Sequence, residues 1–386
     1  MKIKEFAEVI NGTTPSTKKG EYWGGEIKWI TPAELIDGHN WYVYETERMI
    51  TELAQKERNL KILPEETVLL TSRAPIGKVA IAGSEMCTNQ GFKAIICDKS
   101  IVNPHYLYYW LLIKKEFLNN LGRGATFKEI SKTIVENIEV PIPSLEQQNN
   151  IVEIISAILN LIDKRKQQIE ELYSLKQSIF NQFINNEGST KEAKLSDVIE
   201  IDIQTMKNFD DYPHYYLVGI DNIERDTGDL INLKTIENEN VKGNKHYFNS
   251  SHILYSKIRP YLNKVAIPIF EGVCSTDAYP LLVKKDIANK NFIASLLRSR
   301  RFVDYTILNS TGANIPRINQ KNLLNYKFML PSLEKQKEFS DQIQVIDEQI
   351  VNMKMSLEKF NDLFNALSQK SFNGDFFQDG TTKLIT

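Results

Sequence analysis

Two sets of turns in the sequence combine cationic, amide, hydroxyl and aromatic side chains. Arg, Lys, Asn and Gln can hydrogen bond to the edges of DNA bases, whereas Ser, Thr and Lys commonly bind phosphates. This mixture indicates nucleic-acid binding, although each residue could equally lie in a solvated loop. The candidates in the first half of the chain are Ser16, Lys18, Lys19, Tyr22, Trp23, Ser72, Arg73, Lys78, Asn89, Gln90, Arg123, Thr126 and Lys128. The candidates in the second half are Lys257, Arg259, Lys264, Thr276, Asp277, Asn314 and Arg317.

The usual sequence motifs of catalytic sites are absent. Asn103-Pro104-His105-Tyr106 resembles the Asn-Pro-Pro-Tyr loop of amino-methyltransferases, but its third residue differs and no glycine-rich cofactor loop precedes it. Asn followed by Pro is also an ordinary helix start, which is the interpretation that we favour. Gly77-Lys78 lacks the spaced glycine of a P-loop, and the five histidines have no metal-ligand spacing. We therefore expect a chain that is not an enzyme and has no cofactor or metal of its own.

The composition indicates a globular protein in a reducing compartment. Of the 386 residues, 42% are hydrophobic and 25% are charged, which is typical of a chain with an ample core. The three cysteines form no C-x-x-C motif and are too few for a disulfide framework. The first residues lack the apolar core of a signal peptide, and no apolar run reaches the roughly 18 residues that span a bilayer. We therefore expect a cytoplasmic protein.

The formal net charge of −2 is the sum of small regional values between −3 and +3. Residues 1–142 carry 18 basic and 18 acidic side chains, and residues 188–330 carry 19 and 16. No segment is a basic arm of the kind that binds phosphates non-specifically. Binding of a polyanion must therefore depend on local patches, or on a partner that adds positive charge.

The strongest signal in the sequence is an internal repeat with a spacing of roughly 188 residues. The repeated segments keep their order, and the offset between matching segments stays between 186 and 189 residues. The chain is therefore predicted to contain two copies of one unit, each a globular module followed by a long helix. The matching segments are FAEVI and LSDVI, IGKVAIA and LNKVAIP, GATF and GANI, and VPIPSLEQQ and FMLPSLEKQ.

Each long helix carries an apolar seam with alternating spacings of three and four residues, which is typical of a coiled coil. Arg165 and Lys176 interrupt the first seam at the positions where the second has Met353 and Phe364. Because so long a seam must be buried, we expect the two helices to pair with each other in antiparallel orientation. The residues predicted to pair are Ile155, Ile158, Ile162, Ile169, Leu172, Ile343, Ile346, Ile350, Met353, Leu357 and Phe360.

The predicted fold class is α+β, with two mixed α/β modules separated by the long helices. Module one covers residues 1–142 and module two residues 188–330; the helices cover 143–187 and 331–377, and 378–386 form a tail. Ser144 and Gln147 form a capping box at the start of the first helix, whereas the second copy has Lys335 and loses it. In module one, strands are expected at 67–70, 78–81 and 93–96, a helix at 104–118, and the chain break before module two at 188–190.

This organisation resembles the specificity subunit of type I restriction–modification enzymes, over nearly the whole chain. The segments that carry the resemblance are NGTTPSTKKGEYWGGEIKWIT, SRAPIGKVAIA, NQGF and IPSLEQQ in the first half, with LNKVAIP and LPSLEKQ in the second. The second copy departs from the pattern at its start, where IEIDIQTMKNF replaces the Gly-Thr-Thr-Pro loop.

The resemblance implies a sequence-specific DNA-binding subunit whose two modules are target recognition domains. Each domain is expected to recognise one half of a bipartite target, and the helices to act as a spacer and to dock methylation subunits. The implied partners are double-stranded DNA, two methylation subunits that use S-adenosylmethionine, and nuclease–translocase subunits that use ATP with Mg.

Two other functions remain compatible with the residues. One is a fused restriction enzyme with its own methyltransferase or nuclease activity, which binding of S-adenosylmethionine by the isolated chain would favour. The other is a coiled-coil scaffold for protein interactions, which failure to bind any duplex, even beside a methylation partner, would favour.

Overall fold

The computed structural model describes residues 1–35, 42–73, 75–122, 128–186, 190–239 and 241–372. Contacts along the chain divide it into two units. Unit one comprises Met1–Lys164 and Ser356–Thr386, and unit two comprises Arg165–Met355. Each unit therefore combines one module with one end of each long helix.

Helices α1 to α10 are, in chain order, Glu52–Glu57, Pro104–Ile113, Lys115–Leu121, Lys132–Glu136, Leu145–Asn186, Leu195–Val198, Lys290–Arg298, Arg300–Leu308, Gln320–Leu324 and Leu333–Phe372. Strands β1 to β10 are Ala7–Asn11, Trp23–Ile30, Tyr42–Val43, Met49–Ile50, Val68–Thr71, Val79–Ala82, Cys87–Thr88, Phe92–Cys97, Thr190–Lys194 and Ile199–Ile201. Strands β11 to β19 are Thr205–Met206, Tyr216–Val218, Lys234–Thr235, Lys245–Phe248, His252–Ser256, Val265–Ala266, Gly272–Ser275, Ala278–Val283 and Lys327–Pro331. No described helix is long and apolar enough to cross a membrane.

Unit one is built on a five-stranded sheet in the order β1-β8-β5-β6-β3, with a smaller sheet in the order β4-β2-β7. The neighbours in the larger sheet are antiparallel except for β3 and β6, which are parallel. Helix α2 packs on this sheet, and its Tyr106 and Leu107 are completely buried among residues such as Val68 and Ile95. The strands of this core are apolar on consecutive positions because both of their faces are covered.

Unit two repeats this topology. Its larger sheet has the order β10-β18-β15-β16, which corresponds to β1-β8-β5-β6 in unit one. In the second sheet β12 is parallel to β17 and antiparallel to β13, as β2 is to β7 and β4. Strands β14 and β11 extend that sheet in unit two only. The internal repeat and the mixed α/β fold class predicted from the sequence are thus confirmed.

The ends of module two are tied together by a two-stranded ribbon. Strand β9 pairs with β19 in antiparallel register from Thr190 opposite Pro331 to Lys194 opposite Lys327. Module one has a shorter version, in which the Met1 amino group donates to the Val140 carbonyl at 2.9 Å. Each module therefore begins and ends at the same place, next to the start of a long helix.

Helix α2 and its counterpart α7 are capped as the sequence predicts but end earlier. The Asn103 Oδ1 accepts from the His105 N–H at 2.8 Å, and Asn289 caps α7 in the same way. The helical interpretation of the Asn-Pro segment is thus confirmed. The prediction of one helix over 104–118 was wrong in its length, because helix α2 ends at Ile113 and a second helix, α3, begins at Lys115. The corresponding break in unit two has Ser299 as the cap of α8, where its Oγ accepts from the Phe302 N–H at 3.3 Å.

A buried glutamine joins module one to the first turn of helix α5. The Gln148 side chain is completely buried, and its Oε1 accepts from the Asn103 N–H at 2.8 Å. Its Nε2 donates to the carbonyls of Ile101 and Pro143, both at 2.9 Å. One amide thus holds the cap of α2, the loop before it and the turn before α5 in a single arrangement.

The second copy repeats this contact residue by residue. The Gln336 Oε1 accepts from the Asn289 N–H at 2.9 Å. Its Nε2 donates to the carbonyls of Ile287 at 3.3 Å and Pro331 at 2.9 Å. The repeated Ser-Leu-Glu-x-Gln segment therefore has a structural role in both halves of the chain.

The long helices run antiparallel in unit two. Phe183 contacts Phe339 with ring centroids 5.0 Å apart, Lys176 pairs with Asp347, and the Lys354 Nζ lies 2.9 Å from the Tyr173 Oη. Residue numbers on the last helix therefore fall as those on the first rise. Of the residues predicted to pair, Ile155, Ile158, Ile162, Ile169, Ile343, Ile346 and Ile350 are buried, and Leu172, Met353, Leu357 and Phe360 are half-buried.

Both helix starts follow the expected capping chemistry. The Ser144 N–H donates to the Gln147 Oε1 at 3.1 Å, and the Gln147 N–H donates to the Ser144 Oγ at 3.3 Å. In the second copy only the Lys335 N–H bond to the Ser332 Oγ remains, at 3.3 Å. The expected chain break at 188–190 lies largely outside the described residues, as do the expected helix end at 373–377 and the tail.

We expect the Gln148→Leu substitution to lower the free energy of unfolding by about 3 kcal/mol. Leucine has a similar size but removes the hydrogen-bond partner of one N–H and two carbonyls that surround the completely buried side chain. The measurement is the denaturant midpoint of the full chain. The matched control is Gln147→Leu, which removes only a cap bond and is expected to cost about 1 kcal/mol or less. Equal losses in the two variants would contradict the role assigned to Gln148.

Candidate nucleic-acid interface

Four loops of module one meet where strands β1 and β5 end and β8 begins. We call them loop cluster one: residues 12–20, 72–73, 89–91 and 128–130. The Ser72 N–H donates to the Gly91 carbonyl at 2.7 Å, and the Ile130 N–H donates to the Ser72 carbonyl at 3.0 Å. The Thr14 hydroxyl donates to the Gln90 Oε1. These bonds hold four separate sequence segments, each with candidate residues, next to one another.

Two backbones approach very closely inside loop cluster one. A Cβ atom built on Gly12 would lie 1.8 Å from the carbonyl oxygen of Asn89, a distance that no side chain could occupy. The neighbouring Thr13 N–H donates to the Thr88 carbonyl at 2.9 Å. Gly12 therefore allows the 12–20 loop to lie against the 89–91 loop.

An arginine stacks on the aromatic residues next to the 12–20 loop. The Arg48 guanidinium lies 3.6 Å from the ring centroid of Trp23, which meets Trp29 edge to face. The Trp23 Nε1 donates to the Ser16 carbonyl at 3.2 Å, and the Trp29 Nε1 to the Thr13 carbonyl at 3.0 Å. Arg48 is exposed and was not among the candidates, because only the pairing of β2 with β4 brings it to Trp23.

Lys19 and Tyr22 are engaged with an acidic residue of helix α1. The buried Tyr22 hydroxyl donates to Glu57, and the Lys19 Nζ forms an ion pair with Glu57 at 3.2 Å. These two hydrogen bonds, the one from Tyr22 first, lower the pKa of Glu57. Tyr22 therefore holds the loop in place, while the exposed Lys19 retains part of its surface for solvent or a ligand.

Lys78 and Lys264 occupy matching positions in the repeat and hold matching loops. The Lys78 Nζ donates to the Leu35 carbonyl at 2.6 Å, and the Lys264 Nζ donates to the Ile220 carbonyl at 2.8 Å. Both side chains are half-buried. These internal bonds favour a structural function for the two ammonium groups over contact with a base.

A buried lysine supports the base of loop cluster one. The Lys93 Nζ donates to the Ser72 Oγ at 3.1 Å and lies 3.3 Å from Glu129. Ser72 itself is completely buried and donates to the Gly91 carbonyl, so its hydroxyl faces the protein interior. Arg73 is half-buried and forms an isolated β-bridge with Glu129. Lys93 was missed because it reads as an ordinary strand residue between Phe92 and Ala94.

Module two has an equivalent arrangement, loop cluster two: residues 256–259, 275–277 and 311–317. The Lys257 N–H donates to the Asp277 carbonyl, and the Ile318 N–H donates to the Lys257 carbonyl, both at 2.9 Å. The Arg259 N–H donates to the Pro316 carbonyl at 2.7 Å. The backbone pattern is the one seen around Ser72 in module one.

Acidic and basic side chains pair across loop cluster two. Arg317 lies 3.5 Å from Asp277, and Lys257 lies 4.0 Å from the same carboxylate. Arg259 has a left-handed backbone, with φ of +47°, and its side chain is exposed. A non-glycine residue in this conformation is strained, and such strain concentrates at functional sites. Asn314 is also exposed on this surface.

The remaining candidates differ in exposure. Asn89 and Thr276 are half-buried, and the Asn89 Oδ1 accepts from the Gly91 N–H at 2.8 Å. Arg123 and Thr126 lie outside the described residues. The candidates on the open surface are Ser16, Lys18, Gln90 and Lys128.

The described residues contain no cluster of three or more His, Cys, Asp or Glu side chains that could hold a metal ion.

Comparison with known proteins decides the family. A sequence model of the type I restriction modification DNA specificity domain matches the chain twice, over residues 1–173 and 188–360. The chain belongs to this family. The resemblance predicted from the repeated segments is therefore confirmed.

Named relatives agree with this assignment over most of their length. The MjaIX specificity subunit of a type I restriction enzyme from Methanocaldococcus jannaschii is 29% identical over 97% of this chain and 92% of its own length. The EcoDI specificity subunit from Escherichia coli is 27% identical over 73% of this chain and 72% of its own length.

Solved structures share the fold of the chain at low sequence identity. The S subunit of a type I system from M. genitalium superposes with a TM-score of 0.55 at 14% identity, over 96% of this chain and 95% of that chain. A chain from a study of complex assembly and conformational transition in a type I system superposes with a TM-score of 0.59 at 15% identity, over 97% of both chains.

Proposed function

We propose that this chain is the DNA-recognition subunit of a type I restriction–modification enzyme, and that each module binds one half of a split target. The observation that carries the proposal is a shared backbone framework with different side chains on it. Loop clusters one and two use the same hydrogen bonds between equivalent N–H and C=O groups. The side chains that differ at equivalent positions are Gly91 and Asp277, and Glu129 and Arg317, and Lys257 takes the place of the buried Ser72.

This difference is what recognition of two unrelated half-sites requires. A constant framework positions the loops, whereas base contacts depend on the donors and acceptors that each side chain presents. The exposed cations Lys18 and Lys128 in module one, and Arg259 and Arg317 in module two, are the side chains best placed to contact DNA. Residues 1–142 and 188–330 are the corresponding target recognition domains in this proposal.

The proposal assigns catalysis to other subunits. Two methylation subunits would supply S-adenosylmethionine chemistry, and nuclease–translocase subunits would use ATP with Mg. The recognition subunit carries a net charge of only −2, so positive surface from these partners would contribute phosphate contacts. Since these enzymes act on intracellular DNA, the proposed location is the cytoplasm, where the free Cys87, Cys97 and Cys274 would stay reduced.

The outer face of helix α10 is a candidate docking surface for a methylation subunit. Val345, Val351 and Met355 are exposed to 56%, 56% and 54%. At about 100° per residue these three positions lie on the side of the helix opposite the buried Ile343, Ile346 and Ile350. Exposed apolar residues that share a helix face commonly mark protein interfaces.

The proposal predicts that the two half-sites can be changed independently. Because β9 and β19 pair with each other, exchange of residues 190–331 for the equivalent segment of a relative moves both strands together. We expect the hybrid, expressed with its methylation partners, to methylate a site that is altered in one half only. Sequencing of methylated genomic positions measures this. A hybrid whose target changes in both halves would refute independent recognition.

The proposal also predicts different effects for two cations of module two. We expect Arg259→Gly to weaken DNA binding, either at one base position by about 1–3 kcal/mol or uniformly for a phosphate contact, with the unfolding midpoint retained because glycine adopts positive φ freely. The matched variant Lys264→Met removes an internal bond, and is expected to lower stability without changing sequence preference. Binding is measured by titration of duplexes in the presence of the methylation subunits. Normal binding by Arg259→Gly would exclude that residue from the interface.

The spacer function predicts that helix length sets the gap between half-sites. Both long helices run without a break from one unit into the other, so matched insertions after Lys164 and Met355 would lengthen both. Seven helix-forming residues add roughly 10 Å and nearly preserve the seam, so the gap should grow by about three base pairs. Mapping of methylated sites checks the gap. Two inserted residues rotate the seam by about 200° and should abolish assembly, whereas an active seven-residue variant with the original gap would disprove the spacer.

A further inference from the structure

In unit two a lysine of the apolar seam, Lys176, pairs with Asp347, which is adjacent to the seam residue Ile346. The Lys176 side chain is 14% exposed and forms a salt bridge with Asp347, which is 45% exposed. Burial lowers the pKa of Lys176, and the charge of Asp347 opposes that shift. A cation this deeply buried requires the opposite charge beside it, because an unpaired buried charge is strongly destabilising.

A second group of polar residues lies next to this ion pair. The Lys354 Nζ and the Tyr173 hydroxyl both donate to Asp229, each at 2.5 Å. Lys354 and Asp229 belong to the same half of the sequence. That contact is available whichever helix the last helix pairs with, but the Tyr173 hydroxyl lies on the first helix and also favours the unlike pair. All chains compared in the experiment below therefore carry Tyr173→Phe.

The repeat places apolar residues at the positions equivalent to the ion pair. With the offset of 188 residues that relates the two long helices, Lys176 corresponds to Phe364 and Asp347 corresponds to Leu159. Leu159 is 2% exposed in the core of unit one, and Phe364 packs against the same cluster. One pair of equivalent positions is thus ionic in unit two and apolar in unit one.

We propose that this mixed pattern makes the first and last helices select each other and reject pairing with a second copy of the same helix. In the observed pairing, Lys176 contacts Asp347 in unit two, and the equivalent Phe364 and Leu159 belong to one apolar cluster in unit one. Two copies of the first helix in the equivalent register would place Lys176 against Leu159. Two copies of the last helix would place Asp347 against Phe364. Both alternatives place a charged side chain against an apolar one, which is unfavourable. Buried polar residues specify coiled-coil partners by this kind of penalty on the wrong pair.

The proposal distinguishes selection from stability. Replacement of a buried ion pair by apolar residues of similar volume is often neutral or stabilising. Asp347 also lies near the Arg298 guanidinium, for which Asp229 remains as an opposite charge. The double variant Lys176→Phe with Asp347→Leu should therefore keep the thermal midpoint of the full chain. The same variant makes both halves of the seam apolar, so like and unlike helices should then pair equally well. If the ion pair only stabilised the fold, the double variant would instead have a lower thermal midpoint and an unchanged preference for unlike helices.

The experiment uses the folded full-length chain with a protease site inserted after Glu187. After cleavage, an isotopically labelled and an unlabelled sample are mixed in mild denaturant until the labels have exchanged completely, and native mass spectrometry counts the pairs. For the chain with the native ion pair we expect unlike pairs to exceed each like pair by more than about tenfold. For the double apolar variant we expect the ratio of random pairing.

Two further variants keep the outcome interpretable. Lys176→Asp with Asp347→Lys reverses the ion pair and should restore the preference for unlike pairs. Lys335→Ala with Glu338→Ala removes an exposed ion pair of the last helix and should change nothing. Random pairing by fragments with the native ion pair after complete exchange would overturn the proposal, as would retained selection in the double apolar variant.

Discussion

The amide side chains of Gln148 and Gln336 are the contacts on which the arrangement of each half depends. Each completely buried amide bonds one backbone N–H and two carbonyls where three segments of chain converge. Because an unsatisfied buried backbone group costs about 1–3 kcal/mol, few other arrangements of these segments are tolerable. The module and the start of its long helix are consequently held in one orientation.

The loops above this joint combine a constant framework with variable side chains. Equivalent N–H and C=O groups make the same bonds in loop clusters one and two, while Ser72 and Lys257, or Glu129 and Arg317, occupy the same places. Main-chain bonds are insensitive to side-chain identity, so the framework can persist while the donors and acceptors change. Lys78 and Lys264 show the complementary case, since both ammonium groups support a carbonyl of the framework and both were retained in the repeat.

The two long helices are also copies of one repeated element, but they must pair with each other and not with a second copy of themselves. Seams of identical apolar composition would allow each helix to pair with a copy of itself. The ionic pair of Lys176 with Asp347 in one unit, beside Leu159 and Phe364 in the other, gives the two helices different requirements. The interruption of the seam at Lys176 thus acquires a physical meaning that the heptad pattern by itself does not supply.

Much of this organisation was determined by the sequence, because it depends on local or periodic signals. The repeat, the capping of α2 by Asn103, the capping box at Ser144 and the antiparallel seam follow from spacing and from backbone chemistry within a few residues. The tertiary structure decided which candidate side chains are available, since burial and partners come from segments far apart in the chain. Tyr22 and Ser72 face the interior, Lys78 holds a distant carbonyl, and Arg48 reaches Trp23 only through the pairing of two strands. Residue type predicts what a side chain can bond, but long-range packing determines what it does bond.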